Sequence, residues 1–233
     1  MGVVPGRVAA LVLGAGRGER LGHALPKAFV PLAGRSLIER SLRTLSETGI
    51  FERIVPVLAA ADRARFEALE LGEIPGLAVP VIGGAERQDS MRAGLASLPE
   101  EIEFVAVHDA ARCLVTVEDV RAVVAAARDS GAAILAERVR DTIKRVAKGR
   151  VLETPPREEC WAALTPQVAR RDWLEEAALA AQRAGRQATD DAQLLEWKGR
   201  PVQVVEADSP NPKITRPEDL VLAEAMLAKR EGA

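Results

Sequence analysis

The chain has 233 residues, of which 48% are hydrophobic and 28% charged, and its formal net charge is -2. This composition indicates a globular protein with a sizeable core, and the near-neutral charge excludes the basic excess typical of proteins that bind nucleic-acid polymers. The longest apolar runs are far shorter than a membrane span, and Met1–Arg7 carries no signal-peptide pattern. We therefore expect no membrane partner and a cytoplasmic location, with Cys113 and Cys160 in the reduced state.

The segment Val8–Lys27 carries the most information. Its apolar run Val8–Leu13 predicts a buried strand, although composition alone also allows a helix. The run ends at a glycine-rich loop, Gly14–Gly18, whose backbone N–H groups can approach an anion closely. Arg20 and Lys27 place two cations on the same loop. Together these features predict a triphosphate cradle, and the alternative is an ordinary turn with surface charges.

Two familiar nucleotide motifs fit this segment badly. A dinucleotide fingerprint requires glycine where Glu19 stands. A Walker loop requires Gly-Lys followed by Ser or Thr, a run that does not occur in the sequence. The loop therefore indicates nucleotide phosphates, whereas an NAD-binding oxidoreductase would leave Lys27 unexplained.

Further along the chain, strand-like runs alternate with helical patterns. The predicted strands are Arg53–Leu58, Leu77–Ile82, Phe104–Val107, Ala132–Ala136 and Val202–Val205. The predicted helices lie near Ser36–Glu47, Asp62–Leu71, Gln88–Leu98, Val117–Ser130, Arg171–Ala184, Asp190–Trp197 and Pro217–Lys229. This alternation predicts one α/β domain over residues 1–233, a Rossmann-like fold of three layers with a mostly parallel sheet.

The alternation stops after Glu137. Residues 138–158 are polar, and the short β-like pieces Thr142–Val146 and Val151–Thr154 flank Lys148-Gly149 as in a hairpin. An isolated hairpin is only marginally stable in water, so this one should pack on something else, for which a partner subunit is one candidate. We predict a protruding β-arm at 138–158 that serves dimerisation.

Two polar motifs follow predicted strands, where ligands bind in open α/β sheets. In Gly83–Ser90, the glycine pair allows close approach of a flat ligand and Ser90 can bond a base edge, although a turn and a capped helix would explain the motif equally. In His108–Arg112, Asp109 is a lone carboxylate suited to Mg²⁺ held jointly with phosphates, or else a helix cap or local ion pair. His108 alternates with Asp109 along the strand, which favours a structural role for the imidazole.

Further motifs complete the pattern, and they stand in a specific order. They are HDAAR at 108–112, VRDT at 139–142, ALTPQ at 163–167, TDDA at 189–192 and NPKITRPEDL at 211–220. In this order they resemble the 2-C-methyl-D-erythritol 4-phosphate cytidylyltransferase family of the non-mevalonate isoprenoid pathway. The resemblance extends over about Val8–Leu220 and implies a nucleotidyltransferase-type fold. It also implies a homodimer that uses Mg²⁺, CTP and methylerythritol phosphate to make CDP-methylerythritol and pyrophosphate.

The resemblance further implies roles for individual residues. Arg20 and Lys27 would be the catalytic cations at the triphosphate, and Asp109 would hold the metal. The nucleotide would be bound by Gly14, Ala15, Gly16, Gly18, Gly84, Arg87 and Ser90. The substrate would be positioned by Asp109, Arg112, Thr142, Arg157, Thr165, Thr189 and Lys213, with Thr142 and Arg157 reaching in on the arm of the partner subunit. Ala85 stands where some members have aspartate, so backbone groups and Ser90 are left to read the base.

Several alternatives stay open. A ribitol 5-phosphate cytidylyltransferase shares most of these motifs, whereas a guanylyltransferase or a sugar-1-phosphate nucleotidylyltransferase shares only the first loop. A non-catalytic dimeric nucleotide-binding protein would carry the same binding residues without turnover.

Overall fold

The computed structural model describes residues 6–16, 18 and 21–231. The strands among these residues are β1 (Val8–Leu13), β2 (Pro31–Leu32), β3 (Arg35–Ser36), β4 (Phe51–Leu58), β5 (Val81–Ile82), β6 (Phe104–Asp109), β7 (Ala132–Arg138), β8 (Arg145–Ala147), β9 (Arg150–Glu153), β10 (Trp161–Arg170) and β11 (Gln203–Glu206). The α-helices are α1 (Leu37–Glu47), α2 (Arg63–Glu67), α3 (Arg87–Ala96), α4 (Val117–Ser130), α5 (Arg171–Arg183), α6 (Asp191–Glu196) and α7 (Pro217–Glu231).

One central sheet contains seven of the described strands, in the order β11-β7-β10-β6-β1-β4-β5. Neighbouring strands pair in parallel except at β10, which runs antiparallel to both β6 and β7. Helices pack on both faces, so the predicted three-layer α/β fold with a mostly parallel sheet is confirmed. Within the described ranges, no helix is both long and apolar enough to cross a membrane.

Strand β1 shows why the apolar runs of this chain become central strands. Val8, Ala10 and Val12 belong to the core cluster that includes α1 and α4, whereas Ala9 and Leu11 belong to the cluster that includes α3 and α5. All five side chains are completely buried. A strand that is covered on both faces reads as a continuous apolar run, as this one does.

Strand β10 is missing from the predicted elements, although it lies near the middle of the sheet. The reason is Pro166, which cannot donate to a strand ladder and normally argues against a central strand. The pairing with β7 changes register between Ala163 and Gln167, so the proline falls in an irregular stretch of the strand. The polar motif at 163–167 is therefore part of the sheet, one strand away from the His108–Arg112 motif.

Two other predicted elements are too long. Of the predicted strand Leu77–Ile82 only β5 pairs in the sheet beyond an isolated bridge, because Pro80 interrupts the ladder. The predicted helix Asp62–Leu71 is reduced to α2 and a preceding 3₁₀ turn, because the chain then turns to bury Leu71 and Ile74 in the core. The remaining predicted helices and strands are present with small shifts at their ends.

The hairpin predicted in the arm is present as β8 and β9. Lys148 and Gly149 both have positive φ angles, 50° and 74°, which is the backbone of the two-residue turn that suits a right-twisted hairpin. Val146, Val151 and Leu152 are more than half exposed, at 53%, 60% and 52%. The hairpin thus has no core of its own within this chain, and its role in dimerisation stays a prediction.

Candidate active site

The candidate site lies at the carboxyl ends of β1 and β6, which are neighbours in the sheet. Leu13 and Asp109 are partners in the parallel register, and the chain continues from them into Gly14 and Ala110. An open cavity of about 270 Å³ lies above these strand ends. The predicted site residues that line it are Gly14, Ala15, Gly16, Gly18, Lys27, Gly84, Arg87, Ser90, Asp109 and Lys213.

The first wall of the cavity is the glycine loop together with Lys27. Gly18 has a φ angle of +66°, and a Cβ added there would collide with Cβ and Cδ of Lys27. The loop backbone therefore packs directly against the stem of Lys27, and only glycine allows both the backbone conformation and this contact. Arg20, the other predicted catalytic cation, lies outside the described residues.

The second wall is the glycine pair that precedes α3. A Cβ added to Gly83 would lie 2.6 Å from the Ser90 hydroxyl oxygen and 3.0 Å from Cβ of Ala15, so the two glycine loops approach each other here. Ser90 is buried, and its hydroxyl donates to the Gly84 carbonyl only over 3.5 Å. Such a long bond leaves most of the hydrogen-bonding capacity of this hydroxyl for another partner.

The floor of the cavity carries Lys213, Asp109 and Arg87, and a fourth, buried charge, Asp191, lies outside the lining beside Arg87. This line of alternating charges is called here the charge array: Lys213, Asp109, Arg87 and Asp191. Lys213 Nζ lies 2.6 Å from Asp109 Oδ2, and Arg87 Nε lies 3.1 Å from Asp109 Oδ1. The two Nη atoms of Arg87 donate to the two oxygens of Asp191, over 2.9 and 2.7 Å. The array joins the end of β6, the start of α3, the start of α6 and the 211–220 motif, which are far apart in sequence.

Electrostatics keeps the two central groups of this array, Asp109 and Arg87, ionised. Burial alone would raise the pKa of the Asp109 carboxyl, but Arg87 and Lys213 outweigh burial and hold that pKa well below its usual range. Burial likewise opposes the charge on Arg87, yet Asp191 and Asp109 raise its pKa above the usual arginine value. Asp109 therefore presents a carboxylate to the cavity at any physiological pH.

Behind Asp109, His108 and Thr165 form a buried polar contact. The Thr165 hydroxyl oxygen accepts a hydrogen bond of 3.1 Å from the Asp109 backbone N–H and lies 3.0 Å from His108 Nδ1. Burial lowers the pKa of His108 to about 4, so the imidazole is neutral at neutral pH. This geometry agrees with the structural role expected for His108, and it connects Thr165 to the site through the backbone of Asp109.

The other predicted substrate-positioning residues lie outside the described lining of the cavity. Arg112 donates to the carbonyls of Asn211 and Ala163, at 2.9 and 3.1 Å, and so ties the 211–220 motif to β10. Thr189 is exposed and precedes α6. Thr142 and Arg157 are exposed on the arm, where Arg157 donates to the Arg140 carbonyl over 3.2 Å. These residues therefore do not lie in the cavity of their own chain, where the predicted roles of Arg112 and Thr189 would place them.

Two residues of the site were missed when its members were chosen from the sequence. Gln167 accepts the backbone N–H groups of Asp191 and Ala192, each at 2.9 Å, and so fixes the start of α6. The site predicted from the sequence includes Thr189 but not Asp191. The doubled aspartate was the available signal: Asp190 caps α6 through Gln193 N, which leaves the second carboxylate for a distant cation.

Asp109 is the candidate for metal binding. No group of three or more His, Cys, Asp or Glu side chains suited to a metal ion is found in the part of the chain that the structure describes. Each carboxylate oxygen has two acceptor positions, and Arg87 and Lys213 each use one. An ionised carboxylate with spare acceptor positions beside a cavity fits Mg²⁺, which takes most of its other ligands from phosphates and water.

A mostly parallel α/β sheet with a glycine-rich loop and a charged cavity at its carboxyl edge is typical of enzymes that bind nucleotides, and the nucleotidyltransferases are one such class. The family model described as IspD, 2-C-methyl-D-erythritol 4-phosphate cytidylyltransferase, matches residues 8–229. The chain belongs to this family, as the order of its motifs predicts.

Relatives with this name are similar over nearly their whole length. The 2-C-methyl-D-erythritol 4-phosphate cytidylyltransferase of Geobacillus kaustophilus is 45% identical, covering 95% of this chain and 97% of the relative. The enzyme of that name from Pelotomaculum thermopropionicum is 42% identical, covering 97% and 96%. Among solved structures, the enzyme of that name from Thermus thermophilus has a TM-score of 0.77 at 35% identity, covering 96% of this chain and 99% of that one.

Proposed function

We propose that this chain transfers the cytidylyl group of CTP to 2-C-methyl-D-erythritol 4-phosphate and releases pyrophosphate. The observation that carries the proposal is the cavity at the ends of β1 and β6. Two glycine loops form its walls, and Lys27, Lys213 and an ionised Asp109 project into it. The family relationship supports this choice among nucleotidyltransferases.

The chemistry requires positioning and neutralisation of charge rather than a protein nucleophile. A phosphate oxygen of the acceptor attacks the α-phosphorus of CTP, the bond to the β-phosphate breaks, and pyrophosphate leaves in line. Lys27 and Arg20 meet the negative charge that grows on the α-phosphate and on the bridging oxygen. Lys213 holds the acceptor phosphate, and the array keeps this lysine in place through Asp109.

The base is read at the second wall. Ser90 and the backbone around Gly84 lie where a flat ring can approach, and Ala85, which also lines the cavity, brings no hydrogen-bonding side chain. CTP is then preferred over UTP because the exchange of an amino donor for a carbonyl leaves a mismatched buried group, at a cost of about 1–3 kcal/mol.

Mg²⁺ is the proposed cofactor, and Asp109 would hold it together with the triphosphate. When bound, a divalent cation neutralises phosphate charge and orients the leaving group.

We also propose a cytoplasmic homodimer in which the exposed valines of the arm are covered by the partner subunit and Thr142 and Arg157 reach the partner's cavity. Support comes from the exposure of the hairpin and from the position of both residues outside the cavity of their own chain.

Pyrophosphate release tests the proposal. The chain is incubated with Mg²⁺, each of the four nucleoside triphosphates in turn, and either methylerythritol phosphate or ribitol 5-phosphate. We expect efficient release only with CTP and methylerythritol phosphate. Preference for ribitol 5-phosphate would transfer the assignment to the alternative cytidylyltransferase, and CTP binding without release would favour the non-catalytic binding protein.

A further inference from the structure

We propose that Asp191 is a positioning residue of the reaction, which fixes the Arg87 guanidinium so that Asp109 stays paired with Lys213. The inference rests on the proposed function and concerns a residue that is not among the described residues lining the cavity. Asp191 is 3% exposed and therefore acts through its protein neighbours.

The carboxylate of Asp191 is not needed to form the helix that it begins. The N-cap of α6 is Asp190, whose Oδ1 accepts from Gln193 N at 3.0 Å. The backbone N–H of Asp191 is satisfied by Gln167, at 2.9 Å. Both carboxylate oxygens of Asp191 are therefore left for Arg87, and they bind its two Nη atoms as a bidentate pair.

This bidentate contact determines what Arg87 can offer to Asp109. With both Nη atoms directed at Asp191, Arg87 reaches Asp109 only through Nε, and only at Oδ1. Oδ2 is then available to Lys213, which binds it at 2.6 Å. A guanidinium released from Asp191 would take both oxygens of Asp109 with its planar fork, since that is the preferred arginine–carboxylate geometry, and would compete with Lys213.

Stabilisation of the folded state is a poor explanation for the buried ion pair between Arg87 and Asp191. A buried ion pair loses much of its Coulomb energy to desolvation, and apolar residues of similar volume are often as stable. Arg87 is itself partly open to the cavity, with 27% of its side chain exposed, so its orientation matters to whatever binds there. The pair is better explained by the geometry that it imposes on Asp109 and Lys213.

The test compares Asp191→Asn with Asp190→Asn, which is the same carboxylate-to-amide change one residue earlier on a side chain that does not contact Arg87 in the described hydrogen bonds. We expect Asp191→Asn to lower kcat by at least about tenfold, the scale of a displaced reacting group. CTP should still bind one per subunit, with its dissociation constant within about threefold of the parent value, because the glycine loops are unchanged and the proposal assigns Arg87 to Asp109 rather than to the nucleotide. Asp190→Asn should lower kcat by less than about threefold, since Asn caps a helix as well as Asp does and the change gives up only the hydrogen bond that Gln167 Nε2 donates to Oδ2 over 2.9 Å.

Arg87→Lys keeps the charge without the fork and supplies a second variant should Asp191→Asn not fold. It should reproduce the loss in kcat, and the double variant should be no worse than either single one. A parent-like kcat in Arg87→Lys, equal losses in Asp190→Asn and Asp191→Asn, or additive losses in the double variant would overturn the proposal. If the proposed function itself is wrong, the parent chain will release no pyrophosphate from CTP and methylerythritol phosphate. This outcome is distinct from a failure of the positioning role of Asp191, in which the parent chain is active.

Discussion

The cavity and the arm contain ion pairs of the same length in opposite surroundings. Lys213 and Asp109 are 2.6 Å apart, and so are Arg145 and Glu153 in the hairpin. Asp109 has only 11% of its side chain exposed, whereas Arg145 and Glu153 are 61% and 53% exposed. The distance between the charged atoms alone therefore does not show which of the two ion pairs is stronger.

The surroundings determine what each pair can do. In the cavity, low solvent access makes neighbouring charges strong enough to override desolvation and keep Asp109 ionised. On the arm, water and salt screen the charges, so the ion pairs contribute little to holding the hairpin. In the proposed dimer, the arm depends instead on a partner surface that covers Val146 and Val151, whereas the cavity depends on the position of its charges.

Removal of Lys27 should have the largest effect on the cavity. Lys27→Ala is expected to lower kcat by a factor of about 10²–10³, the scale for a lost preorganised donor, while CTP binding weakens much less. Steady-state kinetics and CTP titration measure the two effects, with Lys198→Ala as a control because Lys198 pairs with Glu176 on the surface. An intact kcat with only a raised KM would show that Lys27 merely binds substrate.

Subunit mixing tests whether cavity and arm belong to one site in the dimer. Arg157→Ala and Lys213→Ala should each be nearly inactive as homodimers, because each removes a charge-assisted contact to phosphate. In a mixed dimer one site inherits both changes and the other neither, so random exchange should restore roughly a quarter of all sites.

Activity after mixing is measured alongside native mass spectrometry, which reports the fraction of mixed dimers. Activity that stays at the level of the separate variants, although mixed dimers have formed, would rule out the shared site. A mixture of Lys27→Ala with Lys213→Ala, both on the cavity of one chain, is the matched control and should recover nothing.

The fold was predictable from the sequence wherever one physical cause dominates. The run Val8–Leu13 is buried on both faces and has no competing signal, and β1 has these bounds. Helix α4 likewise coincides with its prediction, because Thr116 caps its start and Gly131 ends it in the left-handed conformation. Strand β10 was not predictable in this way, since Pro166 gives a local signal against a strand that tertiary pairing overrides.

The residues of the candidate site divide in the same way, into those that a local sequence signal predicts and those that only the tertiary fold brings together. Asp109, at the end of β6, and Lys27, in the segment that follows β1, were found from the sequence because the carboxyl edge of the sheet collects such residues. Asp191 was not, because its partner Arg87 is 104 positions away and only the tertiary fold brings them together. The arm was predicted from its polarity, and in the proposed dimer the surface that receives it belongs to the partner subunit.

Because His108 is buried in its neutral form, a fall in pH should lower the free energy of unfolding. The pKa of His108 falls from 6.5 to about 4 on folding, so below pH 6.5 the unfolded chain takes up a proton that the folded chain does not. The stabilisation is therefore present above pH 6.5 and is lost as the pH falls to about 4. The shift corresponds to about 3 kcal/mol in the free energy of unfolding.

Urea unfolding of His108→Asn between pH 7 and pH 4 should show a smaller loss than the parent chain shows. The control is His23→Asn, since His23 is exposed and is the other of the two histidines in the sequence. The same carboxyl groups are present in all three proteins, so the difference between them isolates the contribution of the imidazole. An identical pH dependence in the parent chain and His108→Asn would contradict the neutral buried state.

The smallest effect is expected for the Arg145–Glu153 pair of the hairpin, because this pair is exposed to solvent whereas Asp109 in the cavity is not. A double-mutant cycle with Arg145→Ala and Glu153→Ala should give a coupling energy of about 0.2–1 kcal/mol, typical of exposed pairs. It should shrink further as salt is raised from 0.05 to roughly 0.5 M, because the screening length falls with ionic strength. The cycle is measured on the assembled protein, at concentrations where sedimentation shows one species. A coupling of about 3 kcal/mol or more that salt does not reduce would mean that the pair is desolvated, and hence that a partner subunit covers the charged edge of the hairpin as well as its valines.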